Sequence, residues 1–186
     1  MNKIPPLRLS HMGIFVRDLE RMAQFYKEVL GFIETDRGPA RSFHVVFLTR
    51  EPGAHHQLVL SSGRPDSSGR THAVQQISFK VPSLDDLRAM HALVSERSDV
   101  IEIETVDHGN AWSLYFRDPE ENRIEVYLDT PWHVSQPHHE KLDLSLTNEE
   151  ILRGTGERIK DDPTRQPMED WVQGQAEKLR AAHAGD

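Results

Sequence analysis

The 186-residue sequence contains no cysteine, which excludes disulfides, thiolate nucleophiles and Cys-ligated metal centres. His, Asp, Glu, Gln and Asn are then the side chains left to hold a metal. No apolar run approaches the ~20 residues of a membrane helix, and the opening stretch, MNKIPPLRLSHMG, lacks the ~7–15-residue apolar segment of a secretion signal. A cytoplasmic protein with no membrane partner is expected. Basic residues are the minority, 22 Lys+Arg against 30 Asp+Glu for a formal net charge of −8. A nucleic-acid-binding domain ordinarily carries a basic face, so no nucleic-acid partner is expected. There is no phosphate-binding glycine loop, Ser-His-Asp motif or closely spaced histidine pair on a helix. With 37% hydrophobic and 28% charged residues the chain can still build a core, far from the composition of disorder.

What is present is an internal repeat. His11-Met-Gly-Ile-Phe-Val16 followed by Leu19 returns as Gln76-Ile-Ser-Phe-Lys-Val81 followed by Leu84. Each copy reads as a strand continuing into an amphipathic helix, with Leu19, Met22, Ala23, Tyr26, Val29 and Leu30 in one and Leu84, Leu87, Met90 and Val94 in the other. Gly31 suits the residue after the first helix, and Ser83, with Asp86 three residues on, suits an N-cap of the second. Shorter strand-like stretches follow: 43–48 and 57–60 in the first copy, 100–106, 112–116 and 124–128 in the second. The reading is an α+β fold of two βαβββ modules, 8–61 and 73–129, forming a curved mixed sheet with an open cup. An N-terminal arm (1–7) precedes them and a Ser/Gly/Pro/Asp-rich linker (62–72) joins them.

Alternate residues of a strand point to opposite faces. Met12, Ile14, Val16, Ile77, Phe79 and Val81 therefore face the helices, while His11 and Gln76 face away. Aligning Gln57-Leu-Val-Leu-Ser61 with Glu125-Val-Tyr-Leu-Asp129 puts Gln57 and Glu125 on that same outer face. Parity also admits His55 to the cup. Asp118-Pro-Glu-Glu-Asn122 reads as a hairpin loop rather than an acid cluster. After Asp129 strand patterning stops, and residues 130–186 read as a helical C-terminal extension punctuated by Pro131, Pro137, Pro163 and Pro167. Thr147-Asn-Glu-Glu150 is a capping box. Met168, Trp171, Val172, Gln175, Leu179 and Ala182 form an apolar stripe that docks on its own core or across a dimer partner.

The paired modules, the segment His11-Met-Gly-Ile-Phe-Val-Arg-Asp-Leu and the segment Tyr115-Phe-Arg-Asp-Pro-Glu-Glu-Asn-Arg-Ile-Glu125 resemble the vicinal oxygen chelate superfamily of glyoxalase I, extradiol dioxygenases and bleomycin- and fosfomycin-resistance proteins. Residues 108–115 (HGNAWSLY), Glu125 and the extension Asp129-Thr-Pro-Trp-His133 bring the single-domain extradiol dioxygenases nearest. That resemblance implies a divalent metal, iron(II) before zinc, manganese, nickel or magnesium, held by His11, Gln76 and Glu125. Gln76 stands where the family has a second histidine. An amide oxygen is a poorer donor to iron than imidazole, though acceptable to harder cations. Glyoxalase-like members use four ligands, and Gln57 is the implied fourth. His108 and Tyr115 match the residues that hydrogen-bond the substrate's oxygens, and imidazole titrates near working pH. The expected activity is metal-dependent ring cleavage of a catechol-type substrate by a homodimer. A glyoxalase- or epimerase-like proton transfer and a non-catalytic small-molecule-binding role on Phe15, Trp112, Tyr115 and Tyr127 are the alternatives, although parity puts Trp112 opposite Tyr115.

Overall fold

In the computed structural model, which describes residues 8–40, 42–66 and 74–184, the hydrophobic alternation resolves into two βαβββ units. The arm 1–7 and most of the expected linker, 67–72, lie outside the described residues. In the first unit β1 (Met12–Val16) leads into α1 (Leu19–Leu30), then β2 (Ile33–Ala40), β3 (Phe43–Thr49) and β4 (Leu58–Ser62). The second unit repeats the order with β5 (Ile77–Lys80), α2 (Leu84–Ser95), β6 (Ile101–Asp107), β7 (Ala111–Arg117) and β8 (Arg123–Asp129). Asp18 and Ser83 cap the two helices, each accepting a backbone N–H three residues on. Gly31 closes α1 in the left-handed conformation, φ 65°, which a glycine adopts without the steric cost of a Cβ.

The curved surface is made of two open mixed sheets, ordered β1-β4-β3-β2 and, with the two-residue strand β10 (Glu140–Lys141) at its edge, β10-β6-β7-β8-β5. The first and last strands of each unit pair in parallel. β2 falls outside the strand-like stretches read from sequence, because IETDRGPA has no apolar run. It is an edge strand bonded to β3 alone, where exposed polar residues and Pro39 are tolerated. Helices α1 and α2 pack on the inner faces, and one core of buried side chains, including Tyr26, Met22, Leu60, Leu87, Phe116 and Ile124, runs through both units.

The loop Asp118–Asn122 does more than turn the chain. Glu120 is buried and its Oε1 accepts the backbone N–H groups of Arg17 (2.6 Å) and Asp18 (2.8 Å) from the other unit. Tyr26 donates to Asp118 Oδ2 at 3.3 Å, and Arg64 reaches Asn122 Oδ1 at 3.1 Å. Glu121 takes a left-handed φ of 67°, so the loop accepts backbone strain at a position with a full side chain. Burial pushes the Asp118 carboxyl up to about 6, against the donors from Asn122 and Glu120 that favour its charge. A raised folded-state pKa means the ionised form is disfavoured on folding. The penalty is complete above about pH 6 and is relieved as pH falls towards the unfolded value near ~3.9. Wild type should therefore gain roughly 2–3 kcal/mol on Asp118→Asn between pH 7 and pH 4. Denaturant melts of both proteins at the two pH values measure this, and a pH-independent difference refutes it.

The extension wraps the second unit. Beyond β9 (Trp132–His133), helix α3 (Asn148–Arg158) starts at the Thr147 capping box and buries Ile151 and Thr155. Thr155 donates to buried Asp107 (2.5 Å) and accepts from Trp112 Nε1 (2.8 Å), and Arg158 also reaches Asp107. Strand β11 (Gln166–Pro167) pairs with β9 and leads into α4 (Met168–Ala184). The apolar stripe of α4 divides. Trp171 stacks on His133 with ring centres 4.6 Å apart, whereas Val172 is 53% and Leu179 60% exposed, so the helix docks on its own core only near its start.

Candidate functional site

Strand pairing decides which residues of the two units correspond. Met12 lies opposite Leu58 and Ile77 opposite Ile124. The first unit's counterpart of Glu125 is therefore Val59, and Gln57 corresponds to Arg123. The alignment of Gln57 with Glu125 is two residues out, since period-two parity fixes the face but not the register. Gln57 is engaged elsewhere: its Oε1 accepts the Arg50 backbone N–H at 3.0 Å. Nor does Val59 offer a donor, so the fourth ligand of a glyoxalase-like set has no residue to supply it.

Gln76 and Glu125 do meet. Glu125 is buried at the middle of β8 and accepts four hydrogen bonds: from Gln76 Nε2 (2.8 Å) and Ser78 Oγ (2.5 Å) on Oε2, and from Ser113 Oγ (2.9 Å) and Tyr115 Oη (2.6 Å) on Oε1. Sequence reasoning passed over Ser78 and Ser113, although the parity that places Gln76, Tyr115 and Glu125 on the outer face places them there too. His108 extends the network, with Nε2 3.0 Å from Tyr115 Oη and Nδ1 2.6 Å from the His138 carbonyl. With Nδ1–H donating to that carbonyl, Nε2 of a neutral ring is an acceptor, and the single phenolic proton of Tyr115 has two claimants. Tyr115 donates it to Glu125 or turns it to His108. Burial and the neighbouring carboxylate hold the Tyr115 hydroxyl well above the usual phenol range, so it stays protonated. Arg123 lies over the Tyr115 ring, 4.2 Å from its centre.

His11 stands apart from this network. It is exposed, and its ring packs on His56 at 4.2 Å, with His55 and Phe47 completing the cluster. Parity had favoured His55, but His56 is the one that meets His11. Burial, then the charges of His11 and His55, hold His56 below the usual imidazole value. His11 and Ser78 nevertheless border one cavity of about 540 Å³ between the two units, floored by Phe32, Leu58 and Phe79. Among the aromatics of the binding-protein alternative, Phe15 is exposed and packs on Phe43, away from Tyr115. Tyr127 and His133 line a second cavity, of about 640 Å³, under the start of α4.

The donor arrangement does not fit a resident metal at Glu125. A carboxylate has about four lone-pair sites, and four protein donors take them. The Gln76 amide turns its N–H to the carboxylate, and His11 is hydrogen-bonded to neither. Among the described residues no group of three or more His, Asp or Glu side chains is disposed to hold an ion.

The chain belongs to the glyoxalase/bleomycin resistance protein/dioxygenase superfamily, whose family model matches residues 8–126. It is similar to biphenyl-2,3-diol 1,2-dioxygenase 3 of Rhodococcus globerulus, 30% identical over 126 residues that make up 66% of this chain and 63% of that protein. The chain thus spans less than two thirds of that relative. A glyoxylase/bleomycin resistance protein/dioxygenase domain from Frankia sp. EAN1pec superposes with a TM-score of 0.58 at 25% identity, over 67% of this chain and 93% of that one. A fosfomycin resistance protein, FosX, from Listeria monocytogenes, crystallised with Mn(II) and a dihydroxypropylphosphonic acid, shares the fold with a TM-score of 0.51 at 17% identity, over 64% and 88% of the two chains.

Proposed function

We propose that this protein binds a small hydroxylated aromatic molecule of the catechol type between its two units and holds one of its hydroxyls by a hydrogen bond to Glu125. The observation that carries the reading is the hydrogen-bonded chain His108–Tyr115–Glu125, with Ser78 linking it to the inter-unit cavity. A cavity of about 540 Å³ lies within the range of small-molecule sites. A ligand hydroxyl entering beside Ser78 takes over that residue's place on Glu125 Oε2. The carboxylate accepts its hydrogen bond, and Tyr115 and Ser113 hold the opposite oxygen in position. His108 fixes Tyr115 from behind, and the apolar floor of Phe32 and Phe79 takes the ring.

Titrating catechol and biphenyl-2,3-diol into protein kept in excess chelator tests this. Saturable binding that weakens at least tenfold when both hydroxyls are methylated is expected, since an ether cannot donate to the Glu125 oxygen in place of Ser78. Binding seen only after addition of Fe(II) or Mn(II) would overturn it. A second reading, iron-dependent ring cleavage, is favoured by the 30% identity to a biphenyl-diol dioxygenase. Anaerobic loading with Fe(II), followed by oxygen and the same diols, would establish that reading by a yellow ring-fission product.

A further inference from the structure

We infer that the inter-unit cavity takes an anionic ligand, a small aromatic carboxylate, with Arg50 as the residue that binds the carboxylate. In a chain with eight more acidic than basic residues, the cavity is lined by Arg50, Lys80 and His11 and, among the described residues, by no Asp or Glu. Asp129 pairs with Lys80, and Glu125 is held by its four donors. Arg50 forms no ion pair among the described residues.

Its guanidinium is nonetheless placed. It lies over Gly31, with Nε and Nη2 3.8 Å from where a Cβ on that glycine would stand, and so beside Phe32 at the cavity wall. The backbone beneath it is held as well, since the Arg50 N–H donates to Gln57 Oε1. A guanidinium at the end of α1 also suits the helix dipole, which would make it purely structural. The cavity distinguishes the roles, because a capping cation needs no apolar floor in front of it. Phe32, Ile77 and Phe79 supply that floor. A cationic fork above an apolar slot fits a ligand with a carboxylate at one end and a ring at the other.

The inference rests on the inter-unit cavity being the ligand site, as proposed above, but not on recognition of a diol. The probes are therefore phenylacetate, which has no hydroxyl, its neutral partner 2-phenylethanol, and catechol, each titrated into wild type and Arg50→Met in chelator. Phenylacetate should bind wild type at least tenfold more tightly than phenylethanol, lose that advantage in Arg50→Met, and weaken with salt. Arg50→Lys should restore part of it. A thermal midpoint unchanged in Arg50→Met alongside lost phenylacetate binding separates recognition from capping. Phenylacetate binding without catechol binding upholds the carboxylate site and defeats the diol reading. Catechol binding with phenylacetate affinity indifferent to Arg50 overturns the inference and leaves the diol reading standing. If neither probe binds, both fall.

Discussion

Gly109→Ala should lower stability by about 3 kcal/mol. Gly109 lies in the β6–β7 turn with φ 76°, a conformation that costs roughly 1–2 kcal/mol once a Cβ is present. That Cβ would stand 2.8 Å from Val134 Cγ2 and 3.1 Å from Ile159 Cγ2. Both side chains are buried, and both belong to the extension, so neither retreats without loosening its packing. The glycine's own N–H and carbonyl are committed, to Asp107 Oδ1 at 2.8 Å and Thr130 Oγ1 at 2.7 Å, and cannot turn the backbone away. Overpacking of this kind costs about 1–3 kcal/mol in addition to the strain. For a domain of this size the thermal midpoint should fall by roughly 6–12 °C. Cleavage by added protease should rise within residues 130–167. Gly63, at φ 110° with nothing within 4 Å of its would-be Cβ, provides the comparison. Gly63→Ala bears the backbone strain alone and should lose clearly less. Equal losses in the two variants would show that contact with the extension contributes nothing.

Tyr115→Phe should weaken catechol binding by about ten- to a hundredfold while leaving the fold intact. The ring stays in place under Arg123, and only the hydroxyl between His108 and Glu125 is removed. Hydrogen bonds to a charged group are worth about 1.5–3 kcal/mol, hence the expected range. Tyr115 acts through Glu125, so it is a positioning residue, and its loss should also change the pH dependence of binding. In wild type the Tyr115 hydroxyl joins His108 to Glu125. In the variant Glu125 keeps Ser113 on the same oxygen, and His108 no longer responds to it. Titrations from pH 5 to 9 read this directly. Undiminished affinity with an unmoved pH profile would remove the chain from the mechanism.

Much of this architecture was legible beforehand, for identifiable physical reasons. Helix caps depend on residues within one turn, so Asp86 after Ser83, Gly31 after Leu30, and Glu150 after Thr147 read correctly. The outward placement of Gln76, Tyr115 and Glu125 follows from strand parity, a local property. Register is not local. Whether Gln57 or Val59 answers to Glu125 depends on which residue of β1 each strand pairs with, and both lie on the same face. For the same reason β2 was missed: an edge strand needs only one partner and little apolar character, and IETDRGPA has little.

The chain's own residue pattern determined two βαβββ units, their helix caps and the common face of Gln76 and Glu125. Hydrophobic periodicity and capping act over a few residues, and any fold must satisfy them. The tertiary structure alone decided the rest. It gathered Ser78 and Ser113 around Glu125, turned Gln57 to Arg50 and His11 to His56, and made the Asp118–Asn122 loop a clamp between the units. Those outcomes rest on side chains from segments up to about a hundred residues apart competing for the same few buried hydrogen bonds. Such competition is settled only when the strands are already in register.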